Sequence, residues 1–374
     1  MPDSFIGLMS GTSMDGIDAI VVRFGKQDAQ LLTSLEHPYP EPLRQKLLQA
    51  MRTPESCNVD DVGTLDRQVG ISFRHAALAV LAKTGLVASD IVAIGSHGQT
   101  LRHRPDAPTP YSLQIGDPAT IAVGTGITTV ADFRRADIAA GGQGAPLVPP
   151  FHQWLFGQGG NPRVILNIGG IANITVLGED KEVPLGFDTG PGNTLLDGWI
   201  QANLNKPYDQ DGTWAASGQV EVKLLQALLA DDYFRLSPPK STGFEHFNLE
   251  WLRHQGANDY APADVQATLA ELSARTIAAA IDEYAATAAA VLVCGGGFHN
   301  ADLLQRLRQH LPGRTVLSTA EEGLHPDWVE ATAFAWLAMR TLNNQSGNLP
   351  SVTGAGRKLV LGAIHSPYPL NQSI

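Results

Sequence analysis

Gly7-Leu8-Met9-Ser10-Gly11-Thr12-Ser13-Met14-Asp15-Gly16-Ile17-Asp18 and, in the second half, Asn167-Ile168-Gly169-Gly170-Ile171-Ala172-Asn173 are the stretches that decide the fold. The first links the apolar run from Phe5 to Leu8 with the run from Asp18 to Phe24; the second links Arg163–Ile168 with Ile174–Leu177. Short apolar runs parted by Gly-, Ser-, Thr- and Asn-rich turns read as β-hairpins. One such hairpin opening each half predicts an α/β protein of two similar domains.

Working outward, Leu31 to Leu35 reads as a third strand, followed by helical periodicity over Pro42–Met51 and Asp60–Lys83. In the longer helix Leu65, Val69, Phe73, Ala77 and Leu81 recur at four-residue spacing and share one face. Ile91–Ile94 and Ile127–Ala131 read as buried strands. After the second hairpin come a strand over Val183–Phe187, a helix over Ala263–Tyr284 with Asp264 expected to cap its start, a strand over Ala290–Val293, and a helix from about Asn300. The Gly- and Pro-rich stretch from Ala136 to Pro150 predicts the crossing between domains, so the expected division is 1–134 and 135–374.

Length and composition agree. The chain has 374 residues, 43% hydrophobic and 17% charged, enough for two cores. A net charge of −11, with no run of Lys and Arg longer than a pair, argues against a nucleic-acid surface. The two cysteines, Cys57 and Cys294, belong to no Cys-x-x-Cys pair, so neither a disulfide framework nor a cysteine metal site is expected. The start lacks the basic-then-apolar pattern of a secretion signal, and the most apolar stretch, Thr276–Cys294, is interrupted by Asp282, Glu283 and Tyr284. The expectation is a soluble protein of a reducing, cytoplasmic compartment.

Five groups of residues have the chemistry of a site. The first hairpin tip packs two glycines, three hydroxyls and a carboxylate into Met9–Gly16. Glycines let backbone N–H groups approach phosphate oxygens, and Asp15 has the chemistry to hold a water on Mg²⁺, which prefers oxygen ligands. The bland alternative is a polar hairpin, but a two-residue turn would have closed it. Neither a Gly-x-x-x-x-Gly-Lys-Ser/Thr loop nor a Gly-x-Gly-x-x-Gly strand-to-helix turn is present. Asp188, in Phe187-Asp188-Thr189-Gly190-Pro191-Gly192-Asn193, is placed either to act as a general base or to cap the helix expected near Asn193. Gly295-Gly296-Gly297 admits close contact with a planar ring or a tight turn. His97, Gln99 and Thr100 at one strand end, and Glu330 at the start of a helix, have both ligand-binding and structural readings.

The first hairpin, together with Gly95-Ser96-His97-Gly98-Gln99-Thr100, Ala131-Asp132-Phe133-Arg134, Asn167–Asn173, Phe187–Asn193 and Val293–Gly297, resembles the anhydro-N-acetylmuramic acid kinases, in the same order and over nearly the whole chain. The resemblance implies two actin-like ATPase (ribonuclease H-like) domains of related topology with ATP and the active site in the cleft between them. It implies that Gly11, Thr12, Ser13, Met14, Asp15, Gly16, Ile17 and Asp18 line the ATP phosphates, with Mg²⁺ near Asp15. Gly169, Gly170, Asn173 and Gly190 would form the second phosphate site, and Gly295, Gly296 and Gly297 the adenosine side. Asp188 would be the catalytic base, and His97, Gln99, Arg134 and Glu330 the sugar contacts. The implied reaction converts 1,6-anhydro-N-acetylmuramic acid, water and ATP to N-acetylmuramic acid 6-phosphate and ADP in cell-wall recycling, in a homodimer that binds neither nucleic acid nor membrane. A kinase of another sugar or small acid, and a non-catalytic ATP-binding module, remain open as alternatives on the same fold.

Overall fold

A computed structural model of the chain describes residues 3–11, 14, 16–158, 160–178 and 184–368. Thr12, Ser13 and Asp15 of the first hairpin tip, and Val183 of the expected strand, therefore lie outside the described residues. The strands are β1 (Asp3–Met9), β2 (Gly16–Phe24), β3 (Ala29–Pro38), β4 (Ile91–Ser96), β5 (Gln99–Arg104), β6 (Tyr111–Ile115), β7 (Thr129–Ala131), β8 (Arg163–Ile168), β9 (Ile171–Leu177), β10 (Leu185–Pro191), β11 (Ala290–Cys294), β12 (Thr315–Ser318) and β13 (Ala363–His365). The helices are α1 (Glu41–Arg52), α2 (Val59–Ala82), α3 (Pro118–Thr125), α4 (Arg135–Ala139), α5 (Pro149–Phe156), α6 (Thr194–Leu204), α7 (Thr213–Ser217), α8 (Val222–Leu229), α9 (Leu249–His254), α10 (Pro262–Tyr284), α11 (Ala301–His310), α12 (Val329–Leu342) and α13 (Pro350–Thr353).

The chain divides into two compact units, Met1–Leu155 with Trp328–Ile374, and Phe156–Asp327. This division differs from the boundary expected after Arg134, because the Gly/Pro-rich stretch stays with the first unit and the last segment of the chain returns to it. Asp137 supplies the physical reason. Its fully buried carboxylate accepts hydrogen bonds from Gly144 N at 2.8 Å, Asn348 Nδ2 at 2.7 Å and Thr353 Oγ1 at 2.7 Å. The glycines and prolines there shape a packed loop instead of a linker.

In the first unit the sheet order is β13-β7-β4-β1-β2-β3, with β1–β2–β3 an antiparallel meander and β4 and β7 added in parallel on the other side of β1. In the second unit the order is β10-β9-β8-β11-β12, again an antiparallel meander with two parallel strands beside its first member. This repeated order is the ribonuclease H-like topology, and its duplication is the actin-like class that the resemblance implied. The short β5–β6 ribbon forms a sheet of its own and was not legible in the sequence. Asp264 does not cap α10: Ala261 holds that position before Pro262, and Asp264 Oδ1 accepts from Gln219 N at 2.7 Å.

Two glycines seat α12 on the first sheet. Gly7 of β1 and Gly95 of β4 are register partners, and a Cβ at either would overlap a backbone carbonyl of α12, Ala331 O for Gly7 and Phe334 O for Gly95. Side chains there would push the helix off the sheet. In the second unit α10 covers the sheet with Ala274, Ile277 and Ile281 against Val164, Leu166, Ile174, Phe187 and Val293, all buried.

Gly95→Ala is expected to destabilise the protein by at least the roughly 1–3 kcal/mol of an overpacked core, since backbone is what must move. Gly63, inside α2 with open space where a Cβ would sit, gives the opposite sign: Gly63→Ala is expected to stabilise by about 0.5–1 kcal/mol. Urea-denaturation midpoints at unchanged slope read both.

Candidate active site

In the second unit, strand register places Asp188, Asn173, Asn167 and Cys294 side by side across β10, β9, β8 and β11. Paired residues turn their side chains to one face, so a carboxylate, two carboxamides and a thiol form a polar row. That face is opposite the apolar cluster of Val164, Leu166, Ile174, Phe187 and Val293. Asp188 stands inside β10, at an irregularity in its pairing with β9, where the sequence had suggested a strand end.

Asp188 does not cap α6, which starts at Thr194 with Asn193 in the cap position. It is half-buried and held on three sides. Its Oδ2 accepts from Thr242 N at 3.0 Å, its carbonyl accepts from the Tyr233 hydroxyl at 2.7 Å, and its N–H donates to Lys240 O at 3.2 Å. The Lys240 ammonium lies over the Tyr233 ring, 4.8 Å from its centroid. Burial lowers the pKa of Lys240 against the opposing pull of Glu283 and Asp188; burial and then the charge of Asp188 raise that of Tyr233. Sequence reasoning missed Tyr233, Lys240, Thr242 and Asn167. The Pro238-Pro239-Lys240-Ser241-Thr242-Gly243 loop, with a cation and hydroxyls between prolines and a glycine, was the available signal.

The second hairpin turns at Gly169-Gly170, three residues before Asn173. The turn is fastened to the start of α6 by Asn193 N donating to Gly169 O at 2.8 Å and by Gly192 N and Thr194 N donating to Gly170 O at 2.9 and 3.0 Å. Gly190 lies where a Cβ would meet the Phe234 ring. Among the three glycines after β11, Gly295 and Gly297 leave no room for a Cβ against Asn167 and Ile168, whereas Gly296 is exposed with open space around it. The tight turn and the open backbone surface, which the sequence offered as alternatives, are both present on different residues.

In the first unit the described part of the hairpin tip is anchored from below. Gln99, fully buried, accepts from the Ser10 hydroxyl at 2.8 Å and donates to Gly11 O at 3.2 Å, while Ser10 Oγ also reaches Gly16 O at 3.0 Å. Arg44 Nε donates to Met14 O at 3.0 Å. The Met14 and Ile17 side chains are buried, and Asp18 pairs with Met9 across the hairpin. Gln99, taken from the sequence as a sugar contact, thus has both ends of its amide engaged by the hairpin.

His97 follows β4, its ring 4.6 Å from that of Phe334, with Nε2 2.8 Å from Arg134 Nη2; Arg134 Nη1 donates to Gly144 O at 2.8 Å. Burial and the Arg134 charge hold His97 well below its usual pKa, so it is neutral and accepts from Arg134. Asp132, at φ 61°, follows β7 two residues before Arg134, and burial raises its pKa. Glu330, half-buried, sits in the first turn of α12, one turn before Phe334. His97 and Arg134 are brought together, and Glu330 lies on the helix against which His97 packs. Among the described residues no group of three or more His, Cys, Asp or Glu is arranged to hold a metal, and Asp15 lies outside them.

Fold and site together define a two-unit α/β protein of the actin-like type, with a glycine-turned hairpin in each half and a carboxylate held in the second. The family model for anhydro-N-acetylmuramic acid kinase matches residues 3–367, and the chain belongs to that family. Curated relatives named anhydro-N-acetylmuramic acid kinase include one from Shewanella woodyi, 50% identical over 97% of this chain and 98% of the relative. Another, from Xanthomonas campestris, is 51% identical over 96% and 97%. Among solved structures, an activator of 2-hydroxyisocaproyl-CoA dehydratase from Clostridium difficile aligns over 92% of this chain and 96% of its own at 12% identity, with a TM-score of 0.46.

Three buried imidazoles share one consequence. Burial, reinforced by Arg134 and Arg104, pushes His103 from 6.5 down to about 4, and burial pushes His152 down to about 3. Both groups, like His97, protonate more readily in the unfolded chain. The stability they contribute is complete above pH 6.5 and is lost as pH falls through the folded-state values. The urea midpoint is expected to fall between pH 6.5 and 4, and His152→Leu to show a shallower fall than the parent.

Proposed function

We propose that this chain phosphorylates 1,6-anhydro-N-acetylmuramic acid at the expense of ATP, opening the anhydro ring with water, and that Asp188 is the base. The observation that carries the reading is Asp188 itself: a half-buried carboxylate in a polar row, oriented by the Thr242 N–H and adjacent to the Lys240 ammonium. Family membership supports the substrate.

In the proposed reaction Asp188 accepts a proton from a water whose oxygen bonds to the anomeric carbon. The anomeric carbon–O6 bond breaks, O6 bonds to the γ-phosphorus of ATP, and the bond from that phosphorus to the β,γ-bridging oxygen breaks to release ADP. Little covalent chemistry remains for the protein, so its task is positioning and charge compensation. The Gly169-Gly170 turn and the backbone around Gly11 are assigned to the phosphates, and Gly296, open where a side chain would stand, to the adenosine side. Arg134, paired with a neutral acceptor in His97, is assigned to the lactyl carboxylate, for which a guanidinium is the matching donor. Glu330 is kept as a sugar contact. Mg²⁺, held by Asp15 directly or through a water, would neutralise phosphate charge. The protein is further proposed to be a cytoplasmic homodimer; no helix among the described residues is long and apolar enough to cross a membrane.

Asp188→Asn is expected to lower turnover by roughly 10²–10⁴ while binding of an ATP analogue is retained, measured by coupled ADP release and by titration calorimetry. Unchanged turnover in the variant overturns the assignment of the base. Equal rates on N-acetylmuramic acid and its anhydro form, followed by mass spectrometry of the products, overturn the ring-opening step.

A further inference from the structure

The β5–β6 ribbon carries a polar cluster that nothing above uses. His103 of β5 pairs with Ser112 of β6, and Thr100 with Gln114, so all four side chains stand on one face of the ribbon. Ser112 Oγ is the hub: it lies 3.0 Å from His103 Nδ1, accepts from Gln114 Nε2 at 2.8 Å, and is 3.5 Å from Arg102 O. Gln114 Nε2 also donates to Thr100 Oγ1 at 3.1 Å. Two atoms of the cluster, His103 Nε2 and Gln114 Oε1, are buried and have no hydrogen-bond partner among the described residues.

The hydrogen-bond arithmetic identifies what those atoms want. Ser112 has one hydroxyl hydrogen, and the 3.0 Å imidazole is a better acceptor for it than the 3.5 Å carbonyl. His103 Nδ1 then accepts, so its proton is on Nε2, a donor. Gln114 gives both amide hydrogens to hydroxyls, which leaves Oε1 as an acceptor. A buried donor and a buried acceptor on one ribbon face, each left unmade, cost about 1–3 kcal/mol apiece. A ligand amide, with one C=O and one N–H, satisfies both.

The cluster is also near the residues assigned to the sugar. His97 is two residues before β5, and the charge of Arg134 contributes to keeping His103 neutral. Resting on the reading above, we infer that His103 Nε2 and Gln114 Oε1 bind the acetamido group of the sugar, its carbonyl on the imidazole and its N–H on the glutamine, beside the carboxylate held by Arg134. The ribbon would then set specificity for N-acetylated over plain anhydro sugars, since a site built to hydrogen-bond a group rejects the analogue that lacks it.

The test compares kcat/KM for 1,6-anhydro-N-acetylmuramic acid with that for the analogue carrying a hydroxyl in place of the acetamido group, in the full-length protein and in His103→Phe and Gln114→Met. The parent is expected to prefer the acetamido sugar. Each variant is expected to lose about tenfold to a hundredfold on that sugar and much less on the analogue, so the preference collapses while KM for ATP stays unchanged. Melting temperatures identify folded variants; where either substitution fails to fold, His103→Asn and Gln114→Asn replace it, each shortening the reach of the group. A preference that survives in folded variants, or a loss that falls equally on both sugars, overturns the inference, the second outcome marking a structural role or a bridging water. A parent that phosphorylates neither sugar overturns the reading on which the inference rests, and the inference with it.

Discussion

The close approach of α12 to the first sheet is the constraint on which the geometry around His97 and Arg134 depends. Helix and sheet usually stand apart by the thickness of two layers of side chains. Here Gly7 and Gly95, neighbours across β1 and β4, remove one layer, and the carbonyls of Ala331 and Phe334 occupy the space. The consequence reaches beyond packing. The same helix carries Phe334, against which the His97 ring rests, and Glu330 one turn earlier. His97 in turn accepts from Arg134, whose other nitrogen is held by Gly144, and Gly144 is fixed by the buried Asp137. A displacement of the helix would therefore be transmitted through a ring contact and then a chain of hydrogen bonds to the guanidinium.

The second unit solves the same problem with different chemistry. Gly295 and Gly297 let the turn after β11 lie against Asn167 and Ile168, so the polar row across the strand ends is compact. Asp188 belongs to this row, and the cap position of the neighbouring helix is held by Asn193. A capping carboxylate uses its oxygens on the first N–H groups of its helix. Asp188 instead accepts from Thr242 of a distant loop, while Tyr233 and Lys240 engage its backbone. Both its position and its environment are set by the Lys240–Thr242 segment, which approaches from a loop unrelated to the strand meander.

Much of this was legible in the sequence, and the limits have physical causes. The hairpins showed because short apolar runs flanking Gly-rich turns have few other solutions, and α2 and α10 showed through their spacing. The β5–β6 ribbon did not, because Gln99-Thr100-Leu101-Arg102-His103-Arg104 is too polar to resemble a strand packed on a core. The boundary was misplaced because glycines and prolines mark a linker and a packed loop alike. Only the partners of Asp137, more than two hundred residues later in the chain at Asn348 and Thr353, distinguish them. Gln99 is a sugar contact by the resemblance alone, and its bonds to Ser10 and Gly11 in a different strand-end loop are visible only in the structure.

Residue type alone therefore separates poorly the polar groups that build a site from those that serve it. The accounting of hydrogen bonds separates them better. Gln99 has its amide oxygen and nitrogen both engaged, and what it supports is the shape of the first hairpin. Gln114, of the same type and one strand away, spends its nitrogen on two hydroxyls and keeps its oxygen unmet. Burial without a partner is unfavourable enough that a folded protein retains few such atoms. The acceptor on Gln114 and the donor on His103, on one face of the ribbon, are the half of an interaction that the proposed acetamido group would complete.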